Sequence, residues 1–216
     1  MNIFTQTTLI IGKITEQSIQ MLGTGFLISN DGKIATVRHV IGPNDKNIVV
    51  LFPHIEDMNQ YQDLSDTSCK PISATVAEFD PVRDLCILQT ELKFDGLLPP
   101  IGSFDDVITG EEIVIFGYPH CVNGRRSLTV QKTEIGAKVL IESSGIKYKN
   151  AVINTQARPG QSGSLIYSLR VKKIVGILEG AWVGQRSGFG IISGVDPGTL
   201  HQTTHCISAE YIRGML

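Results

Sequence analysis

GTGFLISNDGKIATVRHVI, residues Gly23 to Ile41, is the stretch whose reading decides the fold. Two apolar runs, GTGFLIS and KIATV, flank Asn30-Asp31-Gly32. Such a turn between two β-rich segments predicts a tight hairpin. The second run stops at Arg38 and His39, so a histidine is expected at the end of a strand. The same rhythm continues outward. TLIIGKI precedes the hairpin, and NIVVLF, SATVAEF and DLCILQT follow it. Short apolar runs cut by turn signals about every ten residues predict an all-β sandwich or barrel.

FDGLLPPIGSFDD, residues Phe94 to Asp106, breaks the rhythm. Adjacent prolines cannot donate to a sheet ladder, so the stretch reads as a connector. A boundary near Pro100 is expected, dividing the chain into 1–100 and 101–216. EEIVIFGYP, SLTVQKTEIGAKVLIE, AVINTQA, SLIYS, KIVGILEG and GFGIISGV supply strands for a second half of similar length. In ISAEYIRGML the residues Ile207, Tyr211, Ile212 and Leu216 recur near helical spacing, so a closing helix is expected with Ser208 as a candidate N-cap.

Composition narrows the function classes. The chain has 216 residues, 42% of them hydrophobic, and a formal net charge of −2. That is enough to bury a core, while interspersed charges offer no field to gather nucleic acid or an anionic membrane. The first residues, MNIFTQTTLIIGKITEQ, lack a basic stretch followed by an apolar one, so neither export nor membrane insertion is expected and a cytoplasmic location follows. Cys69, Cys86, Cys121 and Cys206 show no CxxC spacing and are expected as free thiols, Cys86 within the core.

The candidate chemistry lies in QARPGQSGSLIYS, residues Gln156 to Ser168. A serine hydroxyl is a poor nucleophile until a base takes its proton and an acid orients that base. His39 ends one strand and Asp84 opens another, where a half-buried carboxylate needs a donor such as an imidazole N–H. Taken singly, each feature has a plain structural reading: a surface turn, a strand-end histidine, and a strand cap paired to Arg83. His201 and His205 stand four apart in HQTTH, but without the glutamate of a zinc-protease helix and after a loop-like PGTL, so no metal site is expected. An α/β-hydrolase elbow would need Gly at position 164, a helix after it, and its partners downstream; Ser164 and SLIYS oppose that.

The order His, Asp, Ser and its flanks resemble the chymotrypsin-fold, trypsin-like serine peptidases, most closely the bacterial HtrA-like branch. GTGFLISNDGKIATVRHVI, RDLCILQ and RPGQSGSLI resemble its histidine, aspartate and serine segments, and GEEIVIFGYP and GFGIIS its neighbouring strands. The resemblance implies two packed six-stranded β-barrels and a serine endopeptidase acting through an acyl-enzyme. In it Ser162 is the nucleophile, His39 the base, Asp84 its orienting acid, and the N–H groups of Gly160 and Ser162 the oxyanion hole. It implies neither metal nor organic cofactor, and a protein or peptide as substrate. No residues remain after the closing helix for a PDZ domain, so a stand-alone protease domain is expected. Gln161 replaces the aspartate that digestive relatives pair with a newly cut N-terminus. The primary pocket would draw on Gln156, Glu179, Gly180, Ala181 and Phe189, with a neutral base at Gln156 and a preference for small or medium uncharged side chains; Glu179 is an unexpected acid there. A peptide-binding relative that no longer cuts, or a regulatory module with a protein partner, is the alternative.

Overall fold

Alternating apolar residues with turn residues between them leave each run only one way to bury its apolar face, which is to pair with its neighbour. The computed structural model, which describes residues 2–16, 18–182 and 203–216, contains two closed six-stranded barrels. The first is built from β1 (Thr8–Ile14), β2 (Ile19–Leu27), β3 (Lys33–Val37), β4 (Ile48–Leu51), β5 (Ile72–Asp80) and β6 (Leu85–Thr90), in the order β1-β2-β3-β6-β5-β4. The second comprises β7 (Glu112–Gly117), β8 (Thr129–Ser143), β9 (Ile146–Ile153), β10 (Leu165–Ser168), β11 (Lys173–Trp182) and β12 (Thr203–Ser208), ordered β10-β11-β12-β9-β8-β7. Every strand pair is antiparallel. This is the chymotrypsin-like arrangement that the sequence implies.

The connector after β6 crosses to the second barrel, where Ile101 forms a parallel bridge with Ile174. A capping box at Ser103 and Asp106 then closes a single 3₁₀ turn over Phe104–Asp106. Three short α-helices, α1 (Ile3–Thr7), α2 (Arg38–Ile41) and α3 (Glu210–Arg213), and a second 3₁₀ turn over Cys121–Asn123 complete the elements among the described residues. One apolar cluster runs through both barrels, joining Phe26 and Ile34 of the first to Phe116, Leu165 and Ile177 of the second. From α1, Phe4 stacks on Phe116 with ring centroids 4.0 Å apart. From the other end, Ile212 and Met215 enter the same cluster.

Two expectations are corrected. Ile207 and Ser208 belong to a strand, not to the closing helix, which is one turn long. The reason is partnership: Ile207 pairs with Ile177 on one side and Asn150 on the other. Ser208 does not cap α3 but accepts the N–H of Phe104 at 3.1 Å, and Ala209 holds the N-cap position. The strand expected in GFGIISGV lies outside the described residues. The four cysteines are free, with Cys86 fully buried in the core.

Candidate active site

Register brings the first two candidates together. β3 pairs with β6 so that Val37 faces Leu85, and the residues just beyond each, on α2 and in the turn before β6, become neighbours. Arg38 N–H donates to the Asp84 carbonyl at 2.8 Å and His39 N–H to Asp84 Oδ1 at 2.9 Å. The other carboxylate oxygen, Oδ2, lies 2.5 Å from His39 Nδ1. Asp84 holds a left-handed backbone, φ +56°, a conformation that costs of order 1 kcal/mol outside glycine and is offset here by these contacts. The hydrogen bond to Asp84 raises the His39 pKa above its usual 6.5, against the lowering effect of burial; the charges of Asp84 and Glu179 add to the rise.

The serine comes from the second barrel, on the turn ahead of β10. Gly160 has φ +93°, and a Cβ there would stand 2.6 Å from the Tyr118 carbonyl oxygen, so the turn requires glycine. Gly163, at φ +87°, passes so close to β2 that a Cβ would meet the Thr24 carbonyl oxygen at 2.0 Å. Thr24 staples the loop to the first barrel. Its N–H donates to the Ser162 carbonyl at 2.9 Å and its hydroxyl to the Gly160 carbonyl at 2.8 Å. The same hydroxyl accepts the Tyr118 N–H at 3.1 Å. Among the described residues the amides of Gly160 and Ser162 have no acceptor. Ser164 is fully buried, with no hydrogen-bond partner for its hydroxyl among the described residues, whereas Ser162 opens into a cleft. Gln161 is buried, accepts the Arg158 N–H at 2.8 Å and donates to Gln131 at 3.2 Å.

That cleft, about 630 Å³, is lined by His39, Asp84, Ser162, Glu179, Gly180 and His205, with Ile141 and Tyr148 from the β8–β9 hairpin. A Cβ on Gly180 would be 4.0 Å from Ser162 Oγ. Ser162 and His39 face the same space without a hydrogen bond between them among the described residues, a spacing that commonly tightens only when substrate is bound. A hydroxyl, an imidazole tied to a carboxylate, and unclaimed backbone amides are the groups that acyl transfer uses.

The expected specificity residues fare unevenly. Glu179 and Gly180 line the cleft. A bulge in β11 between Leu178 and Gly180 leaves Glu179 outside the regular pairing with β12. Gln156 is not among the described residues that line this cleft; it follows the end of β9 and is exposed. Ala181 lies in β11 opposite Thr204, and Phe189 lies outside the described residues. His205, read as a loop histidine, sits on β12 inside the cleft, where burial lowers its pKa. Sequence reasoning also missed Asn150, Ile141 and Tyr148, whose only sequence signal is alternation in the hairpin that carries them.

The trypsin-like peptidase domain matches residues 23–177, most of the chain. The chain belongs to the trypsin-like peptidase family. Within that family it is 29% identical over 164 residues to a probable periplasmic serine endoprotease, DegP-like, of Ectopseudomonas mendocina, covering 75% of this chain and 30% of the relative. It is 28% identical over 152 residues to the magnetosome formation protease MamE of Paramagnetospirillum magneticum, covering 68% of this chain and 18% of the relative. The chain thus spans under a third of the curated relatives it matches. The protease domain of MamO from Magnetospirillum magneticum superposes with a TM-score of 0.69 at 16% identity, over 97% of this chain and 95% of that one, which shows the shared fold. The cytoplasmic location expected from the first residues is overturned by these relatives, one periplasmic by name and another a magnetosome protease. A sequence that spans only part of its relatives is no guide to export. Among the described residues no helix is long and apolar enough to cross a membrane.

Proposed function

We propose that the chain is a serine endopeptidase that cleaves protein or peptide substrates through an acyl-enzyme. Ser162 Oγ forms a bond to the scissile carbonyl carbon as its proton passes to His39. Asp84 fixes the tautomer in which Nδ1 carries the proton and stabilises the imidazolium. The negative oxygen of the tetrahedral intermediate is received by the Gly160 and Ser162 amides. The C–N bond then breaks as His39 returns the proton to the departing amine, and a water molecule repeats the sequence to release the acid.

The observation that carries this reading is the 2.5 Å contact between His39 Nδ1 and Asp84 in the cleft that Ser162 shares. Relatives named as proteases support the substrate class, and their names support an extracytoplasmic or membrane-associated setting. The test is a fluorophosphonate probe on the purified chain. Labelling of Ser162, lost together with peptide hydrolysis in a folded Ser162→Ala variant, is the expected result. Labelling that survives this change and disappears in Ser164→Ala would assign the nucleophile elsewhere. A folded chain that takes no label but binds peptides would be a relative that no longer cuts.

A further inference from the structure

Glu179 is a carboxylate in the cleft that the proposed chemistry leaves unused. It is half-buried on the β11 bulge, next to Gly180, the residue beside the Ser162 hydroxyl. It accepts a long hydrogen bond from Asn150 Nδ2 at 3.3 Å. Asn150 is itself fixed, because its Oδ1 accepts the Cys206 N–H at 3.0 Å; the amide can therefore offer Glu179 only its NH₂ side. A carboxylate so placed retains most of its acceptor capacity.

Among the described residues the cleft offers Glu179 only His39 as a partial countercharge. No Lys or Arg is among the described residues that line the cleft. His39 is engaged by Asp84, and burial favours the neutral form of His205. Burial, followed by the nearby Asp84 charge, pushes the Glu179 pKa up, and the Asn150 bond only partly opposes this. An isolated carboxylate in such a place is costly unless a cation joins it. Ile141 and Tyr148, a cross-strand pair on the β8–β9 hairpin, both line the cleft and give it apolar surface. Apolar surface together with a carboxylate only partly compensated fits a side chain with an aliphatic stem and a positive head.

We propose that Glu179 receives a Lys or Arg side chain of the bound peptide, within the few residues flanking the scissile bond. This rests on the peptide-cleaving reading of the same cleft and adds its substrate class. A mobile segment of the peptide would lay its stem along Ile141 and Tyr148 and set its cation against the carboxylate, relieving the unfavourable proximity of Glu179 and Asp84.

The experiment pairs cleavage with binding. A positional library carrying Lys, Arg, norleucine or Glu at each of six positions is digested by the wild type and by Glu179→Gln, both checked by thermal unfolding. One position should favour Lys or Arg over norleucine by about tenfold or more in kcat/KM, and the preference should fall to within about threefold in Glu179→Gln, as loss of one charge-assisted hydrogen bond requires. The norleucine peptides serve as the reference within each protein, so that any effect of Glu179→Gln on His39 cancels in the ratio. In parallel, the Ser162→Ala and Ser162→Ala/Glu179→Gln proteins are titrated with the best Lys peptide and its norleucine twin by fluorescence anisotropy. Selective binding of the Lys peptide that depends on Glu179, without cleavage by the wild type, would sustain this inference and sink the endopeptidase reading. Cleavage with no basic preference at any position, or with one unchanged in Glu179→Gln, would do the reverse. Failure to bind or cleave any member overturns both.

Discussion

Thr24 exchanges no proton with a substrate, yet its hydroxyl sits between the Gly160 carbonyl and the Tyr118 amide, 136 residues from the first of these in the chain. Thr24→Val keeps the shape and removes the hydroxyl, leaving the Tyr118 amide unsatisfied and the Gly160 carbonyl with only the Cys121 thiol at 3.8 Å. The expected cost is about 2–4 kcal/mol in urea unfolding, with kcat falling more than KM rises as the Gly160 amide loses its aim. Asp84 allows a prediction with a sign. On the proposed reading His39 must be neutral to accept a proton, and its pKa is raised, first by the Asp84 hydrogen bond; kcat/KM should therefore fall as pH drops through a value above 6.5. In Asp84→Asn the hydrogen bond to a charged acceptor and the charge both go, while burial still lowers the pKa. The acid limb should move to lower pH, with a plateau reduced by about 10⁴-fold. A pH–rate profile of both proteins checks the two effects; an unmoved limb would remove Asp84 from its assigned role. His39, Asp84 and Ser162 are legible in sequence because each sits in a local pattern of strand end or glycine turn. Thr24, Asn150 and Tyr148 are not, because what they do depends on partners that only the closed barrels deliver.

Most strands follow directly from alternation and turn chemistry, and the exceptions have local causes. β9 starts at Ile146, immediately after a two-residue turn in which Ser144 and Gly145 both have positive φ. That is the geometry of a type I′ hairpin, with serine where asparagine is the usual signal. α1 escapes sequence reading because IFTQT is rich in residues that favour strands; its helix forms where Phe4 meets Phe116 and Tyr167. α3 shows the value of a single turn. Its Tyr211 ring lies 4.5 Å from the guanidinium of Arg83, which is paired to Asp80 at 2.5 Å and adjoins Asp84 in the chain. The Tyr211 hydroxyl accepts the Lys149 N–H at 2.8 Å and its ring meets Tyr148 edge-on. Tyr211→Ala should destabilise the protein by about 2 kcal/mol or more and lower kcat through the loosened Asp84 turn. Tyr211→Phe, which keeps the ring under Arg83, should lose less than about 1.5 kcal/mol and retain most of the activity. Chemical denaturation and steady-state kinetics on the two variants separate these outcomes.

At the scale of the molecule, the sequence reads as two β-rich halves of similar length, while the structure buries one apolar cluster that both barrels share. The strands of both barrels are legible as alternation; the shared cluster is not, because Phe4, Phe116 and Ile212 meet only after both barrels have closed. Because both barrels share this cluster, calorimetry should record a single transition whose van't Hoff and calorimetric enthalpies agree, and two resolved transitions would contradict that coupling. On the proposed reading, His39 and Asp84 come from one barrel and Ser162 from the other, and Thr24 ties the serine loop to the barrel it does not belong to. A molecule that opens along this seam therefore disassembles its own cutting machinery at the moment its strands become digestible. Damaged copies are prey rather than predators, so autolysis in a mixed population must be carried out by the intact molecules.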